Sequence, residues 1–230
     1  MVKRVCGILG LWLFVFMVSG CESDHSSRDF SSDVSEFGNE YFNLFPDETP
    51  LREGNPLLNT LFIPSSVNID SVSNFSKRFT AALGDIHSAF LNPVESKNYT
   101  KMKRILVGVN ELVNQNETNP CLYNIHHPFS RILKTPYTTL DKRLEIIYAK
   151  LDKVPLFYEE AKKRLINMDD AQASLAVGQH VQTYLFLENE LRDSLQESHL
   201  NFVPKFEARI EAARLAVKDY IGYCESVKLK

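Results

Sequence analysis

The chain has 230 residues, 44% hydrophobic and 24% charged, with only 9 Gly and 10 Pro, a balance that excludes a disordered, collagen-like or low-complexity protein. Lys and Arg number 26 against 29 Asp and Glu, for a net charge of -3, so there is no basic surplus to neutralise a phosphate backbone, and nucleic acid is not an expected partner. One globular domain behind a hydrophobic leader is what remains.

The leader has the three parts of an export signal: Lys3 and Arg4, an apolar run from Val5 to Val18, and the small residues Ser19 and Gly20. The run to Gly20 is 16 residues long and contains Gly7 and Gly10, short of the roughly 20 apolar residues that a spanning helix needs. Val18-Ser19-Gly20-Cys21 resembles a bacterial lipobox, in which the Cys thiol is the nucleophile that takes up diacylglycerol before cleavage. The resemblance implies lipidation at Cys21, with palmitate-type acyl chains making the membrane a partner. Residues 1–20 are then a lipoprotein signal peptide, and their removal from 230 residues leaves a mature chain of 210. Glu22 stands where an inner-membrane lipoprotein would carry Asp, which by resemblance favours the periplasmic face of the outer membrane in a diderm cell. Cys6 leaves with the signal, so Cys121 and Cys224 remain in an oxidising compartment, as a disulfide or as two buried thiols.

Residues 21–32 are rich in Ser and Asp and read as a flexible tether. From 33 to 230 the apolar spacing is helical almost throughout, with no period-2 strand, and predicts an all-α multi-helix bundle. Val34, Phe37, Tyr41, Phe42 and Phe45 share a face of a first helix that ends at Pro46. Residues 46–68, with Pro46, Pro50, Pro56 and Pro64, form an ordered loop lying on the domain. A second helix, capped by Asp70, carries Val72, Phe75, Phe79, Leu83, Ile86 and Phe90 and closes at Asn92-Pro93. A third runs from about Tyr99 through Met102, Leu106, Val109 and Val113. After short turns around Tyr123 and from Phe129 to Leu133, Thr138 or Thr139 caps a helix with Leu140, Leu144, Ile147, Leu151 and Val154 inward, and Pro155 opens the next. Asp169 or Asp170 caps a long helix from Ala173 to Leu195. A last helix starts near Pro204, and Tyr220, Ile221, Tyr223 and Val227 near its end are expected to leave an apolar patch exposed.

The segments Phe45-Pro46-Asp47-Glu48-Thr49-Pro50, Asn119-Pro120-Cys121-Leu122-Tyr123 and Leu151-Asp152-Lys153-Val154-Pro155-Leu156-Phe157, followed by Ala161 to Leu165, resemble the N-terminal half of the bacterial family catalogued as domain of unknown function 885. The resemblance implies the front half of a helical zinc-metallopeptidase-like fold. Full-length members of that kind carry His-Glu-x-x-His on a helix, which puts two His on one face to hold zinc with the Glu beside a polarised water. Here the His residues are 25, 87, 126, 127, 180 and 199, none two spaced in that way. No zinc, no other cofactor and no catalytic residue is therefore expected in this chain, which reads as a truncated or stand-alone part. By the same resemblance its partners would be peptides or a C-terminal partner chain. The alternatives are a non-catalytic subunit that completes a zinc peptidase with a separately encoded half, and an envelope scaffold or interaction lipoprotein.

The individual candidates are weak. His126 and His127 are adjacent and diverge on a helix, which favours packing over metal binding. His180 lies on an apolar helix stripe and reads as a hydrogen-bonded core His. Glu188, Glu190 and Asp193 beside Arg192 read as a solvated face, and Ser174 and Ser194 lack a nucleophile elbow. Asn74, Asn98 and Asn116 stand in glycosylation sequons, which a bacterial cell would ordinarily not use.

Overall fold

The computed structural model describes residues 25–227, and among these there is helix and loop but no strand. The expected all-α bundle is therefore found; the signal peptide and Cys21 lie outside the described residues. Among the described residues nine α-helices follow one another: α1 (His25–Leu44), α2 (Ser66–Gly84), α3 (Pro93–Gln115), α4 (His126–Lys134), α5 (Leu140–Leu151), α6 (Val154–Arg164), α7 (Asp170–Glu188), α8 (Glu190–Gln196) and α9 (Val203–Val227).

The first departure from expectation is at the start. Helix α1 begins at His25 rather than after a tether ending at residue 32, and Phe30 is already in the core at 2% exposure. Burial of that ring gives residues 25–32 a reason to be helical that Ser- and Asp-rich composition conceals.

Helix ends follow cap chemistry. Ser65, not Asp70, caps α2, its Oγ accepting from the Asn68 amide at 3.3 Å. Helix α2 stops at Gly84, well before Asn92-Pro93. That dipeptide instead opens α3: Asn92 Oδ1 accepts from the Val94 and Glu95 amides at 2.9 and 3.0 Å, and Glu95 Oε2 accepts from the Asn92 amide at 2.9 Å. The reciprocal pair is a capping box, with Pro93 at the position where a missing N–H costs nothing. Thr139 and Asp169 cap α5 and α7, and Pro155 sits in the first turn of α6, as expected. The helix expected to run unbroken to Leu195 is divided at Asn189 into α7 and α8.

Two separate apolar cores form. The first joins α1, α2 and α3 through Phe30, Phe37, Phe75, Phe79, Leu106 and Val109. The second joins α4 to α9 through Phe129, Leu144, Tyr158, Leu187, Phe206 and Tyr220. In the first, Arg78 of α2 pairs with Glu36 of α1 at 2.6 Å and with Glu40, while the Phe37 ring lies 5.0 Å from those of Phe75 and Phe79. Tyr99 of α3 donates to the Leu83 carbonyl of α2 at 3.4 Å. Neighbouring helices are thus antiparallel, so the α2–α3 connection lies at the same end of this unit as the start of α1.

Of the residues expected to leave a patch on the C-terminal helix, Tyr220 is buried and Ile221 and Tyr223 are half-buried, while the Val227 side chain lies outside the described residues. Tyr220 is fully buried against Tyr158, centroids 4.9 Å apart, and Tyr223 donates to the Lys162 and Leu165 carbonyls at 3.3 and 2.9 Å. Helix α6 supplies the cover that α9 was expected to lack.

Candidate functional site

Two constellations bring distant polar residues together. The first fastens loop 45–65 to the second core. Lys150 of α5, fully buried, donates to Asp47 Oδ1 at 2.6 Å and to the Thr60 carbonyl. Asp47 also accepts from the Phe62 amide at 3.3 Å, and Arg131 of α4 donates to the Asp47 carbonyl and, at 3.1 Å, to that of Thr49. Between these anchors Leu61 packs into the second core and Phe62 stacks on Phe45 at 5.8 Å beside the first. Burial pulls the Lys150 ammonium below its ordinary pKa, and Asp47 opposes that pull. These bonds fasten the loop to α4 and α5, which makes the clasp structural, while Arg131 Nε and Thr49 Oγ1 lie buried beside it without a hydrogen-bond partner.

The second constellation is centred on His180 of α7, which is 0% exposed. Its Nδ1 lies 2.7 Å from the Ala176 carbonyl and its Nε2 2.7 Å from that of Tyr123. Tyr158 and Tyr220 cover the ring, with centroids at 5.5 and 4.7 Å. Tyr220 donates to the Pro120 carbonyl at 3.0 Å and Tyr123 to that of Asn116, so the centre ties α7 and α9 to the segment between α3 and α4. Burial raises the phenol of Tyr123 to about 12 and those of Tyr158 and Tyr220 further. None of the three is a proton donor near neutrality. His180 is a hydrogen-bonded core residue closed to any substrate.

A neutral imidazole carries one N–H and can satisfy only one of the two carbonyls; a charged ring would satisfy both but must be desolvated. Burial is the larger influence and holds His180 below 6.5, with the carbonyl bonds to Ala176 and Tyr123 opposing it. The unfolded chain therefore binds a proton here before the folded one does. The stability is fully present above about pH 6.5 and falls as pH drops through the folded pKa. His180→Gln should remove up to about 1.4 kcal/mol per pH unit from the slope of stability on acidification. Urea melts at stepped pH check this: an unchanged slope would mean that His180 titrates normally.

The other sequence candidates separate. His126 packs its ring 5.2 Å from Phe186, which lowers its pKa by burial, and His127 is exposed. Among the described residues no group of three His, Cys, Asp or Glu converges as a metal site. Glu188 pairs with Arg214 at 2.6 Å and Arg192 at 3.2 Å, and Glu190 with Lys134 at 2.6 Å. The carboxylates thus face cations on α4, α8 and α9 rather than each other; Asp193 is exposed. Ser174 Oγ donates back to the Asp170 carbonyl at 2.8 Å, and Ser194 sits half-buried on α8. Cys121 and Cys224 are thiols, not a disulfide, and burial pushes the Cys121 thiol up, away from nucleophilic thiolate. Asn116 is buried, donates to the Val113 carbonyl at 2.6 Å and accepts from Arg164 at 2.6 Å, so its sequon is closed to modification in the folded protein.

A concavity of about 330 Å³ lies between α1 and α3, lined by Tyr41, Phe45, Glu48, Arg104, Ile105 and Val109. Burial and the Glu48 carboxylate raise Tyr41 to about 12. Its lining sets one carboxylate, Glu48, and one guanidinium, Arg104, beside the Tyr41 phenol. Asp47, Lys150 and Arg131 had no local sequence signal as a cluster, because Asp47 and Lys150 are 103 residues apart.

No protein-family model matches this chain, and no curated protein does. Among solved structures, a candidate lipoprotein of unknown function from Shewanella oneidensis has a similar fold, with a TM-score of 0.72 at 19% identity. The alignment covers 87% of this chain and 38% of that one, so this chain spans little more than a third of that protein's length.

Proposed function

We propose that the protein is a bacterial envelope lipoprotein, acylated at Cys21 after removal of residues 1–20 and held on the periplasmic face of the outer membrane. The observation that carries this reading is the sequence Val18-Ser19-Gly20-Cys21 at the end of an apolar run too short to span. No helix among the described residues is long and apolar enough to cross a membrane. The fold likeness to a longer protein named as a candidate lipoprotein supports the same reading.

On this reading the mature part is a non-catalytic helical unit, the counterpart of the front half of the zinc-peptidase-like family that its motifs resemble. It would form a wall against which peptides or a catalytic segment on another polypeptide pack.

Cys21→Ser tests the anchor. The expected outcome is loss of metabolically incorporated palmitate, together with either an unprocessed precursor or release of the protein from membranes. Normal processing with membrane retention and undiminished acyl label would refute lipidation at Cys21.

A further inference from the structure

We propose that the connection between α2 and α3 is a second membrane contact: Phe90 and Val94 enter the lipid layer to which Cys21 is anchored. The inference rests on the acylation reading and adds to it the face of the protein that meets the bilayer.

The argument starts from exposure. Phe90 is 82% and Val94 68% exposed, four residues apart on the turn that leads into α3. Burying a Phe side chain is worth about 1.5–3 kcal/mol, so an apolar partner that covered this ring would gain that much from it. From 85 to 94 the only ionisable side chains are Asp85 and His87, and the His87 ring lies 6.2 Å from that of Phe90. Glu95, next in line, is occupied by the Asn92 amide in the capping box. Exposed Lys97 and Lys101 follow on the next turns of α3. Their long stems and ammonium heads suit an apolar tip flanked by phosphate headgroups.

Position decides which apolar partner this is. Antiparallel packing of α1 on α2 and of α2 on α3 brings the α2–α3 tip to the end of the unit where α1 begins. Only Glu22, Ser23 and Asp24 separate Cys21 from His25. At no more than about 3.6 Å per residue, that is a reach of roughly 14 Å. An acylated Cys21 therefore brings this end, and not the opposite one, to the headgroups. Val67, 71% exposed in the first turn of α2, stands at the far end of the same helix and serves as the internal control.

The sequence supplies its own probe background. Its single Trp is Trp12, in the leader, so the mature protein has none. Phe90→Trp and Val67→Trp each place one fluorophore in the acylated full chain, which is reconstituted in vesicles of phosphatidylethanolamine and phosphatidylglycerol with and without brominated acyl chains. Phe90→Trp is expected to emit to the blue and lose intensity to brominated lipid, with Val67→Trp unaffected. Equal quenching at both positions, or quenching at Val67→Trp alone, would overturn the proposal. So would a blue-shifted Phe90→Trp emission independent of vesicles, which would put the ring against protein. Protein that floats with the vesicles but shows no quenching at Phe90→Trp defeats this inference and leaves the anchor intact. Protein that does not float defeats both.

Discussion

Replacing Lys150 by Ala is expected to destabilise the protein by about 3–5 kcal/mol, the cost of leaving a buried carboxylate without its partner. For a chain of this size that is a fall in Tm on the order of 10 °C. The side chain is 1% exposed and its partner Asp47 only 18%, so solvent screens the pair little. Loss of the ammonium also strands the Thr60 carbonyl and frees loop 45–65 from α5. The double replacement Lys150→Met with Asp47→Asn should recover most of the loss, because burial rather than Asp47 is the larger influence on Lys150. Removing both charges therefore also removes the desolvation penalty. Urea denaturation of the single and double variants gives the coupling directly, and a cost below about 1 kcal/mol for Lys150→Ala would show a solvated, dispensable pair.

Phe75→Ala should have a comparable effect confined to one part of the molecule. The ring is 1% exposed and lies 5.0 Å from Phe37, 4.9 Å from Phe79 and 6.3 Å from Tyr41, so truncation opens a cavity at the centre of the first core. Such Phe replacements cost about 3–5 kcal/mol. Because Phe75 shares its core with α1 and α3 only, amide exchange should accelerate across α1, α2 and α3 while α5, α7 and α9 keep their protection. Phe129→Ala, in the second core, should give the reverse pattern. Uniform acceleration in both variants would show that the two cores unfold as one.

The limits of legibility fall on particular residues. Asn92-Pro93 is a sound boundary signal, but the same dipeptide ends one helix and opens another, and only Glu95 three positions on makes it a start. The Leu187, Leu191, Leu195 stripe runs across Asn189 without losing its period, so periodicity alone could not reveal that α7 ends there. Periodicity finds stripes and says nothing of which stripes meet. The expectation of an uncovered α9 failed on that point, since Tyr223 finds its acceptors at Lys162 and Leu165, 61 and 58 residues away. Lys150 is a similar case. Within the α5 pattern it reads as one more surface Lys, and its buried partner is remote in sequence. His180 was legible because an apolar stripe interrupted by a His demands hydrogen-bond partners, which backbone carbonyls supply. The proposed acylation at Cys21 rests on its neighbours in sequence alone, for a processing signal is read as sequence and not as a fold.

The division into two cores also fixes an order of assembly. Side-chain hydrogen bonds between helices of the first unit span short separations, Arg78 to Glu36 across 42 residues and Ser76 to Asn110 across 34, although α1 also packs on the more distant α3. The second unit closes through Tyr220 on Pro120, 100 residues apart. Short loops close at lower entropic cost than long ones, and a chain delivered N-terminus first presents the early unit first. Helices α1, α2 and α3 therefore have all their core partners once residue 115 is out, whereas Asp47 must wait for Lys150 and Pro120 for Tyr220. A chain delivered N-terminus first thus presents a finished three-helix unit before the second core can close, with the clasp loop its unfinished edge.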